Sequence, residues 1–372
     1  MNARDRLQRI RDELGQAFLE RTDVIDGALT ALLAGQHVLL IGPPGTAKSM
    51  LADELCRRLD GASYFQWLLT KFTTPEELFG AVSLRALESD DYRRVTTHKL
   101  PEAHIAFLDE VFKANSSILN SILTVLNERR FHNGREIVDV PLITLFGASN
   151  ELPEEDELQA LYDRFLLRFL VGYIADDFKF LRMLHGKAAS ARTTLTLSDL
   201  RQLQQAVHGV VVPQHVFGAL ADIRRELGRK QLVASDRRYR HCVALLQAHA
   251  YLLGRDTVGE EDVFFLENVL WHDPKERDEV RATIHQQLRG YEDEVKALLY
   301  QTQELRDYAH RQWENNDLRS RAVVEAHTKI RNILAKVTTI LEQARTIGRP
   351  VDTVQALKQE IESIQQRMLE AL

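Results

Sequence analysis

The sequence predicts an α/β core, a parallel sheet between helices, followed by an all-helical segment and a C-terminal three-helix bundle. Three observations carry this. Short apolar runs at His37–Ile41, Ile105–Leu108 and Leu142–Phe146 alternate with stretches of helical spacing, the pattern of buried parallel strands covered on both faces. After about residue 175 the strand signal disappears. From 275 to 372 the apolar residues fall into three long amphipathic stripes. The expected divisions are therefore 1–175, 176–274 and 275–372.

Taken in order, Leu7, Ile10, Leu14 and Phe18 recur at helical spacing within 1–33, which reads as one or two helices. The run His37–Ile41 breaks on Gly42-Pro43-Pro44-Gly45, a strand entering a glycine-rich loop. Helical spacing returns over Ser49–Leu59, and 176–272 reads as several helices. The three C-terminal stripes are Val280, Ile284, Leu288, Tyr291, Val295 and Leu298; Ile330, Ile333, Leu334, Val337 and Leu341; and Val354, Leu357, Ile361, Ile364 and Met368. Asn315-Asn316 and Gly348-Arg349-Pro350 mark the breaks between them. A single stripe does not stabilise a lone helix; packed together, the three bury one another.

Composition sets limits. The chain has 372 residues, 44% of them apolar, enough for one large core or two to three modest domains. The longest apolar stretch, Phe165–Ile174, is interrupted by Arg168 and Gly172, so no membrane span is expected. A charged N-terminus argues against a signal peptide. The two cysteines, Cys56 and Cys242, lie in amphipathic runs, which excludes a disulfide framework and suits a reducing compartment, the cytoplasm by default. Lys and Arg number 48 against 54 Asp and Glu, a net charge of −6. That balance argues against a nucleic-acid partner, since phosphate neutralisation supplies most of such affinity.

Gly42, Pro43, Pro44, Gly45, Thr46, Ala47, Lys48 and Ser49, with Met50 following, form a Walker A loop between strand and helix, the context that gives this motif its meaning. Backbone N–H groups and the helix N-terminus would receive the phosphates of ATP or ADP. Lys48 would bridge the β- and γ-phosphates, and the Ser49 hydroxyl would ligate Mg²⁺. Ala47 stands where glycine usually precedes the lysine; alanine suits that place if the residue is already helical, with negative φ. Asp109 and Glu110 end the second apolar run, at the strand end where ligands of a parallel sheet bind. Asp109 would hold Mg²⁺ through water, and Glu110 would orient and deprotonate the attacking water. The bland alternative is a helix-capping Asp-Glu pair. Asn150 ends the third run and is placed to hold that water; alternatively it is a turn residue ahead of Pro153.

The set Gly-Pro-Pro-Gly-Thr-Ala-Lys-Ser (42–49), Phe-Leu-Asp-Glu (107–110), Asn-Glu-Arg (127–129), Gly-Ala-Ser-Asn (147–150) and Asp-Arg-Phe (163–165) resembles MoxR-type AAA+ ATPases, which also carry alanine at the position of Ala47. Ser-Asp-Arg-Arg-Tyr (235–239), Leu-Leu-Gln-Ala (245–248), Gly254-Arg255 and Leu270-Trp271 look like the RavA branch. The resemblance covers residues 1 to about 275. It implies an AAA+ core at 1–175, a lid at 176–274, and a C-terminal domain like the triple-helical one of RavA. It implies that Arg164 is the arginine finger reaching a neighbour's γ-phosphate, with Arg168 the fallback, and that Arg237, or Arg238 beside it, is sensor 2. For each arginine the plain alternative is a solvated helix face. A finger given in trans requires a ring, a homohexamer in this family. Glu128–Val140 would be the β-hairpin before Asn150, turning at Asn133-Gly134.

RavA-type proteins that bind an inducible lysine decarboxylase carry a strand-rich insert, and none is visible between 311 and 350. The companion von Willebrand factor A-domain protein is the better expected partner. Two classes of function follow: a chaperone-like ATPase ring that remodels or activates a partner protein, or a nucleic-acid translocase. Charge, and the lack of a winged-helix or zinc module, favour the first. A Gly-Ala-Phe-Thr-Gly-Ala loop, expected of nitrogen-regulator-type activators, is missing. In Thr74–Gly80, Phe79 is either core or a pore-facing residue that grips a client.

Overall fold

The three apolar runs become neighbouring strands of one parallel sheet in the computed structural model, which describes residues 2–153, 156–185, 192–311, 316–346 and 348–370. Along the chain, helices α1 (Ala3–Ala17) and α2 (Thr22–Ala34) lead into β1 (His37–Ile41), the phosphate-loop segment and α3 (Lys48–Arg57). Then come β2 (Leu59–Asp60), β3 (Tyr64–Leu68), α4 (Pro75–Phe79), α5 (Leu84–Leu87), β4 (Ile105–Asp109) and α6 (Ser116–Glu128). The hairpin β5 (Arg130–Asn133) and β6 (Glu136–Asp139) precedes β7 (Thr144–Ser149), α7 (Asp156–Arg164), β8 (Phe165–Leu170) and α8 (Asp177–His185). The rest comprises β9 (Leu195–Thr196) and helices α9 (Leu197–Val207), α10 (Gln214–Arg229), α11 (Asp236–Leu252), α12 (Glu260–Phe264), α13 (Arg277–Ala309), α14 (Asn316–Thr346) and α15 (Asp352–Glu370).

The main sheet runs β3-β4-β7-β1-β8, every pairing parallel. β1 and β7 lie inside it and are buried residue by residue, as strands covered on both faces must be. Two strands of this sheet escaped the sequence reading. β3 is an edge strand of mixed exposure, and β8 carries Arg168 in its middle. β9 adds a two-residue parallel pair with β2 beyond residue 175, where only helices were expected.

Contacts gather into two compact units, residues 1–212 with 232–277, and 213–231 with 278–372. The stretch 176–274 is thus shared between them: α10 buries Val216, Ile223 and Leu227 in the second unit, and Lys230 just beyond it bonds Glu279 and the Thr283 hydroxyl. The second unit's core takes Val295 and Leu298 from α13, Ile330, Val337 and Leu341 from α14, and Val354, Ile361, Ile364 and Met368 from α15. α14 begins at Asn316; the expected break beside it falls on 312–315, outside the described residues. The break at 348–350 lies between α14 and α15, with Gly348 at φ +73°. No helix among the described residues is long and apolar enough to cross a membrane.

Candidate nucleotide site

A parallel sheet brings its carboxyl ends to one edge, and here that edge gathers the polar residues singled out above. β1 ends at Ile41 and turns into the loop 42–47. Gly42 N donates to the Ser149 carbonyl at 3.0 Å, tying the loop to the end of β7. Only glycine fits there: a Cβ on Gly42 would lie 2.0 Å from the Val171 carbonyl oxygen. Pro43 and Pro44 have no N–H to offer. The cradle therefore rests on the amides of Gly45 to Ser49, which precede the first helical bond, Leu51 N to Ala47 O. The Thr46 hydroxyl braces the loop on Pro43 O at 3.0 Å. Met50 is exposed.

Ala47 departs from the helical backbone expected of it. It lies at φ +62°, ψ 25°, left-handed, one residue before the helix starts. The loop needs that conformation to turn into α3, which is why glycine is common at this position and alanine is strained.

Lys48 extends across the loop and donates to Gly42 O at 2.7 Å and Pro43 O at 2.8 Å. Burial lowers the pKa of its ammonium, while the charges of Asp109 and Glu110 pull it back up, so the lysine and both carboxylates share one electrostatic site. Asp109 Oδ1 accepts from Glu110 N at 3.0 Å. Glu110 sits at φ +50°, a left-handed kink at the strand end. Its Oε2 is buried without a hydrogen-bond partner, with the Lys113 ammonium at 3.3 Å. Asn150 follows β7 and is exposed, on the strand between those of Asp109 and Lys48.

Among the described residues no group of three or more His, Cys, Asp or Glu side chains could hold a metal by itself. One carboxylate with one hydroxyl nevertheless suits Mg²⁺, which keeps several waters and takes its other ligands from phosphates. Glu110 Oε2, buried beside the Lys113 ammonium, keeps acceptor capacity at the same strand end.

The arginines lie elsewhere. His37 is in register with Phe165, so Arg164, the last residue of α7, stands at the amino end of β8 beside the start of β1. Five strand residues separate that end from the loop, roughly 16 Å. Arg164 lines a small pocket with Gln36, Asp163, Leu166, Arg237, Arg238 and His241; its Nε is buried without a partner. Arg237 is exposed and donates to Asn127 Oδ1 at 3.2 Å. It lines the same pocket as Gln36 and Arg164, at that same end.

Their neighbours are internal. Arg168 is buried, bonded to the carbonyls of Trp271 and Tyr162, with its guanidinium 3.8 Å from the Tyr162 ring centre. Burial lowers its pKa to about 9. Arg238 is also buried and bonds the carbonyls of Leu166, Phe165 and Val269 and the Asp163 carboxylate. Neither can reach out to another molecule. Arg168 joins β8 to the Trp271 segment, and Arg238 joins α11 to β8.

Two further readings change. The hairpin turns at Gly134-Arg135, one residue later than expected, with Asn133 paired to Glu136. Asn133 serves instead as a clamp, its side chain accepting from Arg94 N at 2.6 Å and donating to Arg94 O at 3.1 Å. Phe79 is buried, stacked on Phe131 with ring centres 5.3 Å apart, and cannot grip a client. Phe72, in the loop after β3, and Tyr92, beside the hairpin turn, are exposed instead.

Residues 5–205 match the family described as the MoxR domain in the MoxR-vWA-beta-propeller ternary systems, and 215–284 match an AAA lid domain. An uncharacterised protein of Methanocaldococcus jannaschii is 44% identical over 72% of this chain and 70% of its own length. Chaperone MoxR1 of Mycobacterium tuberculosis is 26% identical over 72% of this chain and 74% of its own. A crystal structure from Cytophaga hutchinsonii, provisionally described as an ATPase, superposes with a TM-score of 0.64, covering 77% of this chain and 94% of that one. At 18% identity it shares the fold.

Proposed function

The chain belongs to the MoxR family of AAA+ ATPases, and we propose that it hydrolyses ATP in a ring of identical subunits, a hexamer, to remodel or activate a partner protein. One observation carries this reading. The loop, both carboxylates and Asn150 share the carboxyl edge of the sheet, whereas Arg164 and Arg237 stand at its amino edge, out of reach of their own loop.

In this reading the amides of Gly45 to Ser49 and the Lys48 ammonium bind the phosphates. The Ser49 hydroxyl and Asp109 would hold Mg²⁺, which, when bound, neutralises phosphate charge and fixes phosphate geometry. Glu110 accepts the proton of the attacking water. Asn150 orients that water, and Arg164 and Arg237 of a neighbouring subunit stabilise the charge of the transition state. The sheet core and the lid, matched over 215–284, form the motor, and the helices beyond them the partner-selecting part.

MoxR1 is named a chaperone, and the family description joins MoxR to a vWA protein. The first supports a protein partner, and the second supports one with a von Willebrand factor A domain. The buried free thiols of Cys56 and Cys242 suit the cytoplasm. No observation favours the nucleic-acid alternative.

Glu110→Gln should bind ATP with near-native affinity and lose turnover by on the order of 10²–10⁴, whereas Lys48→Ala should lose binding itself. Tagged Glu110→Gln protein, held with ATP, should co-purify a vWA-domain protein. Near-normal hydrolysis by Glu110→Gln would remove the assignment.

A further inference from the structure

In α8 every residue is exposed, although five of its nine residues are large and apolar. Phe178 is 78% exposed, Leu184 62% and Leu181 52%, with Phe180 and Met183 nearly half exposed. Just upstream, Tyr173 is 66% exposed and Leu170 40%. Together these seven residues leave on the order of 800 Å² in water, about one partner's share of a stable interface and more than monomers usually leave in one patch. A nine-residue helix is also too short to sustain itself in water. Among the described residues, polar contacts hold its first turn: Glu20 accepts from Ala175 N at 2.9 Å and Asp176 N at 3.1 Å and pairs with the Lys179 ammonium at 3.6 Å.

Its position says what covers it. α8 hangs from the carboxyl end of β8, where Leu170 is in register with Ile41 and Val171 N bonds Ile41 O at 2.8 Å. That is the edge of the phosphate loop. A chain that delivers Arg164 and Arg237 there must seat its own amino-edge surface against this edge, and α8 is the apolar helix that the edge presents. The delivering surface has an exposed apolar residue of its own, Val233, 80% exposed on the loop that leads to Arg237.

We infer that α8 is the docking helix for a second copy of this chain, whose amino-edge surface covers Phe178, Leu181 and Leu184 while bringing Arg164 and Arg237 to the phosphate loop. The inference rests on the trans reading above and adds the contact that enforces it. Docking is then head to tail, so the same contact repeats around a ring.

The test uses the full chain carrying Phe178→Ser, Leu181→Ser and Leu184→Ser together, with sedimentation in the presence of a slowly hydrolysed ATP analogue. All three side chains face water, so the melting temperature should stay within a few degrees of wild type. The wild type should assemble; the triple variant should sediment as a monomer, bind the analogue within twofold of wild type, and lose at least tenfold in turnover. In the wild type, the α8 amides should exchange rapidly in the dilute monomer and become protected on assembly. An assembling, active triple variant would overturn the docking assignment and leave the trans reading intact. Protection of α8 already present in the monomer would overturn it too, because the chain would then cover its own helix. A wild type that stays monomeric and hydrolyses ATP at a concentration-independent rate would overturn the trans reading itself.

Discussion

Ala47 holds a left-handed backbone at the residue before Lys48, a conformation that costs a residue with a Cβ about 1–2 kcal/mol. Glycine would relieve it while adding freedom to the unfolded chain, roughly 0.4–1 kcal/mol in the other direction. Ala47→Gly should therefore stabilise by about 0–1.6 kcal/mol in denaturant titration, with nucleotide affinity nearly unchanged. His37 makes a second prediction. It is buried, its Nδ1 accepts from Leu145 N at 3.0 Å, and burial together with the charges of Arg129 and Arg237 holds its pKa well below the usual 6.5. The unfolded chain takes up a proton near pH 6.5 that the folded chain refuses. Stability from this group is therefore complete above pH 6.5 and falls as the pH drops below it. His104, His241 and His272 shift the same way through partial burial. His37→Gln, which keeps an acceptor for Leu145, should flatten but not abolish the loss of stability between about pH 6.5 and 5, read by thermal melts.

At the scale of elements, adjacent arginines on α11 do different work because the helix turns one outward and the other inward. Arg238→Ala would strip several carbonyls and the Asp163 carboxylate of their partner and should cost about 3–5 kcal/mol in stability. Arg237→Ala should leave the melting temperature almost unchanged and slow hydrolysis. Near-equal loss of stability in both variants would contradict this division. Helix phase of this kind is what the sequence leaves unread: Arg237 and Arg238 are alike until α11 is packed, as are Arg164 and Arg168 until β8 is placed. Nearly continuous apolar runs made β1, β4 and the first half of β7 legible, although the third run, Leu142–Phe146, starts two residues before β7 and carries Thr144; a strand buried on both faces has few polar residues to disguise it. β3 was hidden because an edge strand need not be apolar throughout: Phe65 is buried while Leu68 faces water. β8 was hidden by Arg168, a charge that only tertiary packing beside Tyr162 and Trp271 makes tolerable inside a sheet. The hairpin's Asn-Gly pair signalled a turn and missed its register, because Asn133 is claimed by the backbone of Arg94.

Across the whole molecule, the proposed function uses strand polarity to divide one set of catalytic groups between two edges. Under that proposal a subunit would carry the phosphate loop for one site and the arginines for another, and hydrolysis would be a property of the assembly. Specific activity should accordingly rise with protein concentration as subunits associate. Arg164→Ala should bind ATP almost normally yet lose on the order of 10³–10⁵ in rate, the usual contribution of an arginine finger. The most direct test mixes Arg164→Ala with Glu110→Gln subunits, each nearly inactive alone. A contact that presents the intact Glu110 edge of the first to the intact Arg164 edge of the second is complete, so the mixture should regain ATPase activity well above either parent. If mixed assemblies form and the rate stays at the level of the parents, Arg164 does not act on a neighbour's nucleotide, and the two-edge account is wrong.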